Sequence, residues 1–237
     1  MNNPVLYLIP SPLGNTPPSL VLPAGHIETI RTIQCFAVEE LRTARRFLSA
    51  LGLHVESLEL ELLNEHTSPE EMESLLAPLR EGRSMGMISE AGLPAVADPG
   101  AELIALAHRN GFNVAPLVGP SSLMLALMAS GLNGQKFAFQ GYLPVKSALR
   151  DKKIRELEKL SGREHQTQIF IETPYRNESL YRALLSCCAP GTRLTIAINL
   201  TMPDAFISTR TIGEWKQFRP GSDGLFRKKP CVFLILA

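Results

Sequence analysis

Met87-Ile88-Ser89-Glu90-Ala91-Gly92-Leu93-Pro94-Ala95-Val96-Ala97-Asp98-Pro99-Gly100 reads as a short apolar strand that breaks into a loop punctuated by glycine and proline. Asp98 has the chemistry of a helix cap, and Pro99 carries the fixed φ favoured at a first helical position. The periodic apolar run Leu103, Ile104, Leu106, Ala107 then predicts a helix, with Gly111 as the residue just past its end. A loop of small residues at the carboxyl end of a strand is where open α/β sheets hold ligands, because backbone amides can approach closely there. One such loop is more often an ordinary connection. Here three further loops of the same kind occur in the same half of the chain.

Outward from that stretch, Val5–Ile9 predicts a buried parallel strand ending in Pro10-Ser11-Pro12-Leu13-Gly14-Asn15, where Gly14 is the residue free to take positive φ. Residues 24–32 predict a helix. Residues 34–38 predict a strand that delivers Glu39 and Glu40 just before a helix over 41–51. The segment 56–73 is rich in glutamate and lacks lysine and arginine, as a solvated face would be. Within it Ser68-Pro69-Glu70-Glu71 has the form of a capping box opening a helix to about residue 81. Strand 113–118 leads into Gly119-Pro120-Ser121-Ser122 and an apolar helix closed by Gly131. Strands and helices alternate, which predicts a parallel α/β sheet with its loops on one edge. After Gly134 the chain is richer in strands, at 136–141, 168–172, 194–199, 206–212 and 231–236, with a helix over 177–188. The expected architecture is two α/β domains: 1–119 with a parallel sheet and 120–237 with a mixed sheet.

The 237 residues carry a net charge of +1, so binding to nucleic acid would need a local patch. Lys146, Arg150, Lys152, Lys153, Arg155 and Lys159 form such a cluster, although a helix of mixed charge is more often simply solvated. Cys35, Cys187, Cys188 and Cys231 lack ligand or redox spacing, and five scattered histidines disfavour a metal site. There is neither a dinucleotide fingerprint nor a phosphate-binding P-loop. Without an apolar run long enough for a leader or a span, the expectation is a cytoplasmic protein without membrane contact.

Taken in order, Pro10 to Asn15, Glu39-Glu40-Leu41-Arg42, Ser89 to Pro94 with Asp98-Pro99-Gly100, Gly119 to Ser122, and Gly141-Tyr142-Leu143-Pro144 resemble the tetrapyrrole-methylase superfamily of S-adenosylmethionine-dependent methyltransferases. The branch resembled is the one that 2′-O-methylates a ribose of small-subunit ribosomal RNA. The resemblance covers essentially the whole chain. It implies a cofactor cleft between two domains, ribosomal RNA as partner, and a homodimer. It also implies cofactor contacts at Pro12, Gly14, Ser89, Glu90, Ala91, Gly92, Asp98, Ser121, Ile171 and Leu200, the last beside Asn199. A ribose hydroxyl needs a group to take its proton. Glu39, Glu40, His66 (of the pair Glu65-His66) and Glu172 are the candidates, with His66 equally readable as a plain loop residue. Arg42, Lys146, Arg150, Lys152, Lys153 and Arg176 would hold substrate.

The chain departs from the family pattern at Leu41, Glu90, Leu93, Tyr175, Asn199, Met202 and Pro230. Two hydroxyls and several charges are lost while the cofactor loops persist, which suggests a diverged relative. Two alternatives stay open: methylation of a tetrapyrrole-like small molecule, and a cofactor-binding protein without catalysis.

Overall fold

The structure is a computed structural model that describes residues 3–218, 224–226 and 228–237. The chain folds as two compact units, Met1–Ser121 and Ser122–Ala237.

The first unit is built on five parallel strands: β1 (Val5–Ile9), β2 (Cys35–Val38), β3 (Glu59–Leu62), β4 (Met85–Ile88) and β5 (Asn113–Pro116), in the order β3-β2-β4-β1-β5. Alternation along the strands separates two cores. Cys35, Ala37, Met85 and Met87 pack on one face with Leu75, Leu79, Leu103 and Leu106. Phe36, Val38, Ile88 and Ile9 pack on the other with Ile30, Phe47 and Leu48. The helices α1 (Ala24–Arg31) and α2 (Leu41–Ala50) thus cover one face. The other is covered by α3 (Pro69–Leu75), α4 (Ala77–Arg80) and α5 (Ala101–Arg109). Gly86 in β4 is dictated by packing, since a Cβ there would lie 2.6 Å from Ile9 Cδ1 and from Phe36 Cδ1.

The capping box at Ser68 and Glu71 forms as the sequence predicts. The helix it opens does not run unbroken to residue 81. It stops at Leu75 and restarts at Ala77, because Pro78 has no N–H to offer the preceding turn. Strand β3 lies within the acidic segment read from sequence as a mere solvated face. Its Glu-Leu-Glu-Leu alternation pairs with β2 on the edge of the sheet.

The second unit carries a mixed sheet, β6 (Phe137–Tyr142), β7 (Thr167–Glu172), β8 (Arg193–Ile198), β9 (Phe206–Thr211) and β10 (Cys231–Leu236), in the order β6-β7-β10-β8-β9. Only β6 and β7 run parallel; the other pairings are antiparallel. Three helices, α7 (Ser147–Glu164), α8 (Asn177–Cys187) and α9 (Ile212–Gln217), close over a core of Phe170, Phe233, Leu180, Leu184, Ile196 and Trp215. The apolar α6 (Ser122–Ser130) belongs to this unit and packs on β10 and β9. Helix α9 is unforeseen in the sequence; Thr211 and Glu214 cap it reciprocally.

Candidate active site

The loops leaving the carboxyl ends of β1 and β4 are stitched together. Ser11 N–H donates to Gly92 O (2.9 Å), Gly92 N–H donates to Ser11 O (3.0 Å), and Ser11 Oγ donates to Ser89 O (2.9 Å). Gly92 adopts φ 79°, a conformation open to glycine, and a Cβ on it would press on Leu13 Cδ2 at 3.3 Å. The loop behind it is strained: Ala95 and Ala97 have φ of 63° and 65°, where a Cβ is disfavoured. Gly14, expected to be the flexible point of the first loop, does not adopt positive φ. Two prolines, Pro10 and Pro12, already turn that segment.

This geometry corrects the expected role of Asp98. Helix α5 begins at Ala101, Gly100 occupies the cap position, and no side chain caps it. Asp98 lies instead within electrostatic reach of Ser89 and of the carboxylates of Glu39 and Glu90. Burial pushes its carboxyl up to about 6; Glu39 and Glu90 push the same way, and Ser89 pulls back. Ser89 is 5% exposed, and its Oγ has no hydrogen-bond partner among the described residues. A buried hydroxyl without a partner is unusual and marks a place where a ligand can complete the bonding.

The two glutamates after β2 diverge. Glu39 Oε2 accepts from Glu90 N–H at 2.9 Å, which ties the end of β2 to the β4 loop. Glu40 is the N-cap of α2, accepting from Arg42 N–H (3.0 Å), Thr43 N–H (2.6 Å) and Thr43 Oγ1 (2.7 Å). Those bonds, led by the Thr43 hydroxyl, hold its carboxyl below the usual range. A carboxylate so occupied is a weak proton acceptor. His66 lies on the loop after β3, 84% exposed, with Nε2 3.6 Å from Glu65 Oε1. Pro12 and Ser121 are half-buried and Ala91 and Gly14 exposed on their loops.

In the second unit Glu172 ends β7 and is buried. Its Oε1 accepts from Thr173 N–H (2.6 Å) and from Arg176 Nε and Nη2 (2.9 and 2.6 Å). Ile171 is half-buried beside it, paired with Tyr142. Leu200 is buried between two residues of positive φ, Asn199 (50°) and Thr201 (71°). Asn199 Nδ2 donates to both oxygens of Asp204 at 3.0 Å, and Lys229 Nζ reaches Asp204 Oδ2 at 2.8 Å. Of the expected basic cluster on α7, Arg150 is turned inward, with Nη1 donating to Ser179 Oγ at 3.0 Å. Lys152 is 75% exposed, 3.9 Å from Glu156. Lys146 is exposed and Lys153 half-buried. Among the described residues no group of histidine, cysteine, aspartate and glutamate is arranged to hold a metal ion.

Two residues were legible by position but not by role. Nothing in the sequence distinguishes which of Glu39 and Glu40 caps α2, and nothing in it shows that Asp98 leaves the cap of α5 to Gly100.

Comparison with solved structures gives the fold. The chain superimposes on the methyltransferase CobJ with a TM-score of 0.64 at 15% identity, covering 99% of this chain and 94% of that one. It superimposes on a uroporphyrin-III-C-methyltransferase from Thermus thermophilus with a TM-score of 0.58 at 18% identity, covering 98% and 94%. No family model matches the chain. Among curated sequences it is 33% identical over 209 residues to ribosomal RNA small subunit methyltransferase I of Mesorhizobium japonicum, covering 88% of this chain and 68% of that protein. The protein of the same name from Vibrio cholerae is 30% identical over 198 residues, covering 84% and 65%. The chain thus spans about two thirds of the length of these relatives. On that similarity, across most of its length, the chain belongs to the ribosomal RNA small subunit methyltransferase I family.

Proposed function

We propose that the protein is an S-adenosylmethionine-dependent methyltransferase that 2′-O-methylates a ribose of small-subunit ribosomal RNA. The observation that carries this reading is the stitched pair of loops at Ser11 and Gly92, set beside the methyltransferase activity for which the relatives are named. The loops fit the cofactor chemically. Ser89 Oγ is a buried hydroxyl without a hydrogen-bond partner among the described residues. Glu39, Glu90 and Asp98 provide negative charge that complements a sulfonium and an ammonium group.

In this reading Pro12, Gly14, Ser89, Glu90, Ala91, Gly92, Asp98 and Ser121 are the cofactor contacts of the first unit; for Ile171 and Leu200 of the second unit a cofactor contact rests on the family resemblance alone. The cofactor, when bound, supplies the methyl group. Glu39 is the favoured acceptor of the ribose hydroxyl proton. One of its oxygens is held by Glu90 N–H, which orients the carboxylate, and the other makes no hydrogen bond among the described residues. Glu40 acts on Arg42 and Thr43 rather than on substrate. His66, on an exposed loop, is the second candidate. Glu172 orients Arg176, whose guanidinium is left partly exposed to meet a phosphate. Arg42, Lys146, Lys152 and Lys153 complete the phosphate contacts, with Arg150 bracing α7 against α8. The protein is further proposed to be a cytoplasmic homodimer, which light scattering would test.

The experiment is transfer of a labelled methyl group from S-adenosylmethionine to small ribosomal subunits taken from cells lacking this protein. Label in small-subunit RNA, resistant to alkali at one ribose, is the expected result. Binding of S-adenosylhomocysteine without any labelled RNA would overturn the acceptor assignment. Absence of both would overturn the reading.

A further inference from the structure

Helix α2 has an apolar side and an opposite side that carries three arginines with Ser49 among them. Ala44, Phe47 and Leu48 are buried against the first unit's core. Arg42, Arg45 and Arg46 are exposed, and their i, i+3, i+4 spacing gathers them within about 100° of the helix circumference, opposite the buried side. None of the three makes an ion pair among the described residues. Arg31, Arg80 and Arg83 of the same unit, by contrast, each meet a carboxylate: Glu28, Glu73, and Glu59 with Glu81.

This arrangement works against the isolated helix. Like charges at these spacings repel, and cations in the first turns oppose the helix dipole. The one acid at hand, Glu40, has its carboxylate engaged with the amides of Arg42 and Thr43 and the Thr43 hydroxyl. Without an ion pair among the described residues, three guanidinium groups held together repel one another, and only Arg42 has a carboxylate nearby, that of Glu40. An external polyanion would gain from them, since each guanidinium forks onto a phosphate and releases condensed counterions on contact. Their place is also specific, because α2 begins two residues after Glu39, at the carboxyl edge of the sheet that carries the stitched loops.

We infer that the Arg42–Arg45–Arg46 face of α2 is a docking surface for the RNA backbone next to the ribose that is methylated. The inference rests on the reading of RNA as the acceptor and adds a track for its phosphates that the basic cluster of α7 does not supply.

The test is binding of fluorescently labelled small-subunit ribosomal RNA to the full chain between about 50 and 200 mM KCl. The double variant Arg45→Glu/Arg46→Glu is expected to lose at least about tenfold in affinity and to flatten the salt dependence by about two phosphate contacts. Its binding of S-adenosylhomocysteine should be unchanged. The neutral pair Arg45→Gln/Arg46→Gln, which relieves repulsion within the helix and so protects folding, should show the same loss in smaller measure. Unchanged affinity and salt slope in a folded variant, with the unmodified protein binding RNA, would overturn this docking face alone. Failure of the unmodified protein to bind RNA at all would overturn the acceptor reading and this inference with it.

Discussion

The two sheets treat the carboxylates at their strand ends in opposite ways. In the first unit Glu39, Glu90 and Asp98 gather at the ends of β2 and β4, and none makes an ion pair among the described residues. In the second, Glu172 at the end of β7 is clasped by Arg176, and Asp204 is held by Lys229 and Asn199, which keep its carboxyl below the usual range. One arrangement is electrostatically closed and stabilises the fold as it stands. The other is open, and a cationic ligand is what would close it. The carboxylates that are paired within the fold and those left for a cationic ligand thus stand at different strand ends, as expected where a binding site trades stability against affinity.

The largest effect should come from opening the closed arrangement. Arg176→Ala leaves the buried carboxylate of Glu172 without its cation and should cost about 3 kcal/mol in urea denaturation. Adding Glu172→Gln should restore most of that loss. A single variant as stable as the parent would mean that Glu172 is solvated after all.

Relieving the open arrangement should have the opposite sign. Asp98 has an ordinary value of 3.8 and is pushed up to about 6 in the folded chain. Between these values the folded protein holds a proton that the unfolded chain has released. Stability therefore falls as pH rises through this window, and the full penalty is present above pH 6. Discounted for residual solvent exposure, the penalty is about 1–2 kcal/mol. Asp98→Asn should remove it, making the variant more stable than the parent at neutral pH and equal to it near the lower end of the window. The same variant should bind S-adenosylhomocysteine more weakly. A variant no more stable at neutral pH would end the view that these carboxylates repel.

The smallest expected effect compares backbone strain in the two units. Ala95→Gly removes a Cβ from a left-handed residue, offset by the greater freedom of glycine when unfolded, for a net gain of about 0.5 kcal/mol. Asn199→Gly should give no gain, because asparagine tolerates that region and its amide is bonded to Asp204. Thermal melts of the two variants side by side would show whether Ala95 carries strain that Asn199 does not.

Much of the architecture could be read from local signals. The capping box at Ser68, the glycines past the ends of α5 and α6, and the apolar runs of β1, β4, β7 and β10 each speak for themselves. What escaped has two causes, a partner distant in sequence and a local breaker. Strand β3 is visible only through its pairing with β2, and α9 is masked by Gly213 in its first turn. At the site, sequence brought Glu39, Ser89 and Asp98 forward as candidates. It could not say that Glu40 would be consumed by its own helix, or that Arg150 would face Ser179. Side-chain direction at a strand end is set by the loops around it, and these carry left-handed residues that composition does not announce.

The reciprocal bonds between Ser11 and Gly92 have a consequence in time. Two surface loops that would otherwise fluctuate separately must break the same pair of bonds to open, so they open as one cooperative unit. Their amide protons should exchange with solvent at a common rate, and occupation of either loop should slow both.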